Sequence, residues 1–297
     1  MKTVFLDFDT VDNNDIDIES LRGSGVELTL YGVTPCDLVA SRIAEAEIVI
    51  TNKLQLGRAE LLQAQRLRLI CLVATGTNNI DLAAAAEKGI GVCNIVGYCT
   101  ASVVQHVWAL ILSLTQHLRD YEQLLKGGSW RDSAQFCMLD FPIRELDGKT
   151  LGIVGYGELG RAVARIGVAF GMQIVVAQRP GEQAVEAGEV NRQPLAKLLA
   201  QSDIVSLHCP LTEETRGLIS RAELELMKPD ALLINTARGG LVDPGALADA
   251  LHQGRIGGAG IDVLTQEPPA NGDPLLAGDI PNLIVTPHIA WAARTAR

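Results

Sequence analysis

Short apolar runs alternate along this chain with longer segments whose apolar positions recur every three or four residues, the pattern of strands joined by amphipathic helices. In the first hundred residues the strand-like runs are 4–6, 26–30, 48–51, 69–73 and 92–94. Helix-like segments separate them, so the spacing predicts a small α/β domain with a parallel sheet. A long apolar helix is expected over 100–118, carrying His106 and His117. Eleven residues is close to three turns, which would put both histidines on nearly one face. Histidines so far apart do not form a metal pair, and packing or an interface is their ordinary use.

The most informative stretch is 149–179, KTLGIVGYGELGRAVARIGVAFGMQIVVAQR. An apolar run enters a turn at Gly155, Gly157 and Gly160, and then Leu159, Val163, Ile166 and Phe170 recur at helical spacing. Gly171 stands where a helix C-cap is wanted, and 173–177 is rich in β-branched residues, so the stretch reads as strand, tight turn, helix, strand. In such a unit the first glycine makes the turn, the second lets the backbone approach a pyrophosphate, and the third lets helix and strand pack closely. The free N–H groups of the helix start then face the anion. A lone glycine motif is also compatible with a plain strand-to-helix turn; its placement between strands favours a dinucleotide site. One position departs from the fingerprint. The acid that would bond the adenosine ribose is replaced by Gln178, followed by Arg179, which leaves NAD and NADP both open as cofactor.

Beyond that unit, 194–200 reads as a helix and 203–207 as a strand ending in His208-Cys209-Pro210. Ser220 and Glu223 have the spacing of a capping box. A buried strand is expected over 231–235, with Thr236, Ala237 and Arg238 leaving its carboxyl end. Asp243-Pro244 opens a helix that stops at Gly254. A strand over 258–264 is interrupted by Asp262, Glu267 follows in a proline-flanked loop, and a last strand over 283–286 ends in Pro287-His288. In open α/β sheets ligands bind beyond the carboxyl ends of strands. That also marks two loops of the first hundred residues, 51–53 and 73–78, the latter with Thr75 and Gly76, as candidate cleft walls.

Composition narrows the partners. At 297 residues with 47% hydrophobic content, the chain has room for two cores. Its net charge of −10, with no cluster of Lys or Arg, argues against nucleic acid or an anionic membrane and for small-molecule chemistry. The six cysteines lie apart with no CxxC pair, so reduced thiols, a cytoplasmic setting and no metal site are expected. Asp7 and Asp9 interrupt the amino terminus where a signal peptide would be apolar, and no apolar run reaches the length of a membrane span.

Arg238, Glu267 and His288 each follow a strand of the second half, so a parallel sheet would bring them to one edge. Singly, each could be a surface ion pair or a packing residue. Beside a dinucleotide site they supply what reduction of a 2-oxo acid needs: a guanidinium to clamp a carboxylate, an imidazole to protonate the carbonyl oxygen, and a carboxylate to hold that imidazole and favour its charged form. The cofactor would carry the hydride.

The strings ELDGKTLGIVGYGELG, INTARGGLVD, GIDVLTQEPP and TPHIAWAA resemble the D-isomer-specific 2-hydroxyacid dehydrogenases. That resemblance covers nearly the whole chain. It implies two doubly wound parallel-sheet α/β domains: a Rossmann-type dinucleotide-binding domain (99–288) inserted into a smaller flavodoxin-like substrate-binding domain (1–98 with 289–297). It further implies that Gly155, Gly157, Glu158, Leu159, Gly160, Gln178 and Arg179 surround the pyrophosphate and ribose, and that Thr236, Ala237, Arg238, Asp262 and His288 surround the nicotinamide. Thr75 and Gly76 would meet the substrate carboxylate, together with Arg238 and His288. GYCTASVVQHVWALIL, FCMLDFPIRELDGKT and PHIAWAA are similar to glycerate dehydrogenases, also called hydroxypyruvate reductases, which implies hydroxypyruvate/D-glycerate or glyoxylate as substrate and a homodimer. The family usually continues past His288 with a helix returning to the first domain, whereas nine residues follow here (289–297). Nucleotide-sensing corepressors resemble the same family and keep the same three residues, but usually add partner-binding tails, and no such segment stands out in this sequence.

Overall fold

Apolar runs that read as strands assemble into two separate parallel sheets in the computed structural model, which describes residues 1–23, 25–179 and 192–297. The chain divides into two units, Met1–Cys99 with Ala292–Arg297, and Thr100–Trp291. In the first unit β1 (Lys2–Phe5), β2 (Glu27–Leu30), β3 (Ile48–Thr51), β4 (Leu69–Leu72) and β5 (Gly91–Asn94) pair in the order β2-β1-β3-β4-β5. This is the flavodoxin-like doubly wound order. Its core is aliphatic: Leu6, Ile43, Val49, Leu56, Leu61 and Ile70 are fully buried.

A carboxylate governs one sheet end of this unit. Asp7 is buried, and its oxygens accept from the backbone N–H groups of Asn52, Lys53 and Leu54 at 2.7–3.1 Å. The loop 51–53, expected as a wall of a ligand cleft, therefore has these donors filled by the chain's own side chain. The loop after β4 is braced differently. Thr75 Oγ1 donates to the Ile95 carbonyl at 2.8 Å and Asn94 Nδ2 donates to the Thr75 carbonyl at 2.8 Å.

The second unit contains β6 (Thr150–Val154), β7 (Gln173–Ala177), β8 (Arg192–Gln193), β9 (Ile204–Leu207), β10 (Leu232–Asn235), β11 (Gly258–Ile261) and β12 (Leu283–Val285). They pair in the order β12-β11-β10-β9-β6-β7-β8, all parallel. Counted within the unit this is 3-2-1-4-5-6 with a seventh strand added, the dinucleotide-binding order whose direction reverses between β6 and β9. Both faces of the central strands are covered, so β9, β10 and β11 are buried along their whole length. The capping box of Ser220 and Glu223 forms, and Asp243 caps the helix Pro244–His252 through the Ala246 N–H.

Three sequence expectations shift. The long helix stops at Thr115 rather than residue 118, because the Thr115 carbonyl accepts from the Arg144 N–H at 3.0 Å. His117 then takes a left-handed conformation (φ 52°), and a new helix runs over Leu118–Lys126. His106 and His117 consequently do not share a helix face, and His117 bonds Asp120 at 2.8 Å. β11 ends at Ile261, three residues earlier than the apolar run suggests, because Asp262 turns its side chain into the loop beyond β12. β8, too short for any periodicity, was not foreseen.

Removing the Asp7 carboxylate orphans three backbone donors, and an unsatisfied buried donor costs about 1–3 kcal/mol. Asp7→Ala is expected to lower stability by roughly 3 kcal/mol in urea unfolding; an unchanged midpoint and slope would contradict this role.

Candidate active site

The glycine turn follows β6 at the point where the strand order reverses. Gly155 has φ 94°, and a Cβ there would lie 2.5 Å from the Cys209 backbone nitrogen at the end of β9. A Cβ on Gly160 would lie 2.1 Å from the Gly155 carbonyl oxygen, so the helix Glu158–Ala169 can start this close to the strand only with glycine there. Gly157 is different: nothing lies within 4 Å of where its Cβ would be. Its open side is the space that a pyrophosphate approaching the helix start requires. Glu158 accepts from the Thr100 hydroxyl, which draws its carboxylate toward the helix Thr100–Thr115. Leu159 follows it in the first helical turn. At the end of β7, Gln178 is half-buried and donates its backbone N–H to the Gln193 carbonyl at 2.9 Å, and Arg179 beyond it is exposed.

Three adjacent parallel strands deliver the other groups to the same sheet edge. After β10, Asn235 braces the loop from both ends of its amide. Its Oδ1 accepts from Ala237 N at 3.0 Å, and its Nδ2 donates to the Arg238 carbonyl at 2.9 Å. Arg238 is extended (φ −149°) and donates Nη1 to the Ala237 carbonyl at 2.6 Å. Thr236 Oγ1 is buried and has no hydrogen-bond partner among the described residues. After β11, one oxygen of Glu267 accepts from the Leu264 N–H at 2.8 Å, while the other meets His288 Nδ1 at 2.6 Å. A cavity of about 390 Å³ adjoins this pair, walled by Leu264, Pro268, Pro269 and Leu276.

His288 sits in the left-handed region (φ 54°), uncommon for a residue with a side chain. Asp262 accounts for it. Its carbonyl accepts from the His288 N–H at 2.7 Å, and its carboxylate accepts from the Thr286 hydroxyl at 2.5 Å and from Ile289 N and Ala290 N at 2.9 Å each. The Asp262 side chain is fully buried. Expected as a wall of the nicotinamide site, its carboxylate is committed to holding the loop that carries His288. Asn235 and Asp262 are thus supporting residues whose bonding role the sequence did not disclose; an acid or amide breaking an apolar strand run is the signal they leave. Thr75 and Gly76 belong to the other unit, on the loop after β4. Among the described residues no group of His, Cys, Asp and Glu is arranged to hold a metal ion.

Residues 108–290 match the profile of the D-isomer specific 2-hydroxyacid dehydrogenase, NAD binding domain. The chain belongs to this family. It is 44% identical to the glycerate dehydrogenase of Methylorubrum extorquens over 89% of its own length and 81% of that protein's. It is 38% identical to the hydroxypyruvate reductase of Blautia hydrogenotrophica over 100% and 92%. Among solved structures, the D-lactate dehydrogenase of Aquifex aeolicus complexed with NAD and lactic acid superposes with a TM-score of 0.83 at 30% identity, covering 99% of this chain and 90% of that one.

As a member of the D-2-hydroxyacid dehydrogenases the chain is an oxidoreductase that uses a nicotinamide dinucleotide. The open face of Gly157 and the unpartnered Thr236 hydroxyl fit such a group.

His208, like His288, ends a strand and would be the obvious substitute as a proton donor. Its surroundings do not suit that use. Nε2 pairs with the buried Ser206 hydroxyl at 2.9 Å, Nδ1 is enclosed with no partner among the described residues, and burial pushes its pKa down to about 4. At neutral pH this imidazole holds no dissociable second proton.

The same depression makes a stability prediction. Between the ordinary value of 6.5 and about 4, the unfolded chain binds a proton at this position and the folded chain does not, so this contribution lowers stability as pH falls. At about 1.4 kcal/mol per unit the loss is roughly 2–4 kcal/mol by pH 4. His208→Gln is expected to lose less stability than the wild type between pH 7 and 4. Parallel curves of unfolding free energy against pH would refute this.

Proposed function

We propose that the protein reduces a small 2-oxo acid, hydroxypyruvate or glyoxylate, to the D-2-hydroxy acid, with His288 as proton donor, Glu267 as its orienting partner and Arg238 as the carboxylate clamp. The observation that carries this reading is the 2.6 Å contact between His288 Nδ1 and Glu267, on the sheet edge that also bears the glycine turn. With one Glu267 oxygen already anchored by the Leu264 N–H, the other can fix only one ring orientation, leaving His288 Nε2 to face a substrate. As an imidazolium the ring carries a proton on each nitrogen, Nδ1–H donated to Glu267 and Nε2–H available to a substrate. A nicotinamide held beside Gly157 and Thr236 would supply the hydride to the carbonyl carbon. His288 gives its Nε2 proton to the carbonyl oxygen, and the neutral ring remains hydrogen-bonded to Glu267. Arg238 offers two parallel N–H groups to the substrate carboxylate, and its planar fork fixes which face of the carbonyl is presented. Thr75 and Gly76 are the carboxylate-binding residues of this reading on Met1–Cys99 with Ala292–Arg297, which makes that unit the substrate-binding one.

The substrate assignment draws support from the similarity to a glycerate dehydrogenase and a hydroxypyruvate reductase. A homodimer belongs to the same reading: Trp130, Phe136, Leu139 and Ile143 stand exposed on the segment before β6, apolar side chains that a second copy of the chain could cover. None of the described helices is long and apolar enough to cross a membrane, and all six cysteines are free thiols, which suits the reducing cytoplasm.

Cofactor choice rests on the end of β7. A carboxylate there would both bond the ribose and repel a 2′-phosphate, whereas Gln178 keeps only a neutral hydrogen bond and Arg179 adds a charge that suits phosphate. NADPH is therefore used at least comparably to NADH.

Steady-state oxidation of both reduced cofactors with hydroxypyruvate, glyoxylate and pyruvate tests the proposal. His288→Ala is expected to lower kcat by about 10²-fold or more with cofactor affinity little changed, and Arg238→Lys to fall at least about 10-fold in kcat/KM. Wild-type turnover in the first or wild-type kcat/KM in the second would remove that residue from its role. Gln178→Asp is expected to shift preference toward NADH by roughly 1–3 kcal/mol. A wild-type preference for NADH above about 100-fold, roughly 2.7 kcal/mol, would overturn the cofactor assignment.

A further inference from the structure

We propose that Ser102 and His106, one turn apart on the helix Thr100–Thr115, are positioning residues that clamp the His288 loop at both of its ends. Ser102 Oγ donates to the Ala290 carbonyl at 2.6 Å, two residues after His288. His106 Nε2 meets Thr286 Oγ1 at 2.9 Å, two residues before it. Residues i and i+4 lie on one helix face, so a single rigid surface touches the loop on either side of the imidazole.

Hydrogen-bond counting gives the direction of each contact. Thr286 spends its one hydroxyl proton on Asp262 Oδ1, leaving its oxygen as an acceptor. The His106 nitrogen must then be the donor, which assigns the proton to Nε2; Asp262 Oδ1 lies 3.4 Å from the same nitrogen. The chain of contacts runs His106 to Thr286 to Asp262, and from Asp262 to the N–H groups of Ile289 and Ala290. Asp262 gathers the loop inward, and the helix fixes where the gathered loop stands.

This clamp has a task that Glu267 cannot perform. Glu267 holds Nδ1 and so sets the rotation of the ring, but the position of Nε2 also depends on the backbone that carries it. That backbone is in a left-handed conformation, which persists in a non-glycine residue only when the surroundings enforce it. A displacement of about 1 Å in a reacting group can cost about 10²-fold in rate. Ser102 and His106 touch neither reactant on this account; they act through the loop.

The inference rests on the reading of His288 as proton donor, so its test needs one measurement independent of catalysis. Ser102→Ala, His106→Leu and His106→Gln are compared with the wild type for kcat with hydroxypyruvate, for the Kd of the reduced cofactor by fluorescence, and for hydrogen–deuterium exchange in peptides spanning 286–291. Ser102→Ala and His106→Leu are expected to lower kcat by about 10-fold, to leave the cofactor Kd within about 2-fold, and to speed exchange at Ile289 and Ala290. His106→Gln keeps a donor near the same place and should recover kcat to within about 3-fold of wild type. Unchanged exchange or unchanged kcat in both Ser102→Ala and His106→Leu overturns the clamp, as does a glutamine variant as impaired as the leucine one, which would mark His106 as packing only. Should His106→Leu fail to fold, Ser102→Ala carries the same two outcomes. If His288→Ala retains wild-type turnover, the donor assignment falls instead, and exchange over 286–291 still decides whether the clamp exists.

Discussion

Because all strand pairings in the Thr100–Trp291 unit are parallel, each described strand runs the same way and its carboxyl end lies on one common edge. The groups considered for chemistry in this unit are residues that leave that edge. Gly155 follows β6, Gln178 follows β7, Arg238 follows β10, Asp262 and Glu267 follow β11, and His288 follows β12. Sequence separations above a hundred residues collapse because one hydrogen-bonding pattern is repeated without exception across the sheet. Reversal of strand order between β6 and β9 then opens the edge at the glycine turn, where crossovers leave on opposite faces.

Strand ends expose backbone donors, and the two units answer that problem in the same way. In the first, Asp7 follows β1 and collects three N–H groups from the loop after its neighbour β3. In the second, Asp262 follows β11 and collects two from the loop after its neighbour β12. Each carboxylate is buried and each spans one strand spacing, so a loop on one strand is fixed by an acid on the next. The consequences differ. Around Asp7 the filled donors close off a loop that might have met a ligand, whereas around Asp262 they present a histidine.

Two histidines at strand ends illustrate how surroundings separate chemistry from packing. His208 pairs with a buried serine hydroxyl and is held neutral by burial, with its pKa near 4. His288 is partly exposed, faces a carboxylate at 2.6 Å and stands beside a cavity. Nothing in the residue type distinguishes them. The His208 ring meets a hydroxyl, whereas the His288 ring meets a carboxylate at the edge of a cavity.

The sequence by itself determined the βα alternation, nearly every strand of both sheets, the glycine turn and the capping of two helices, because these depend on contacts a few residues long. Alternating apolar runs, the spacing of Gly155, Gly157 and Gly160, and the pairs Ser220–Glu223 and Asp243–Pro244 carry their own physical reasons. Arg238, Glu267 and His288 were also legible as strand-end residues, and resemblance to a family supplied the roles expected of them. Only the tertiary structure decided which polar residues hold the site in place. Ser102 and His106 lie on an apolar helix and are separated from Ala290 and Thr286 by 188 and 180 residues. Asp7 reads in the sequence only as an acid where a signal peptide would be apolar, and the break at His117 depends on an N–H from Arg144. Hydrogen bonds of that reach leave no period and no motif in the chain, since they are fixed by where two distant backbones come to rest.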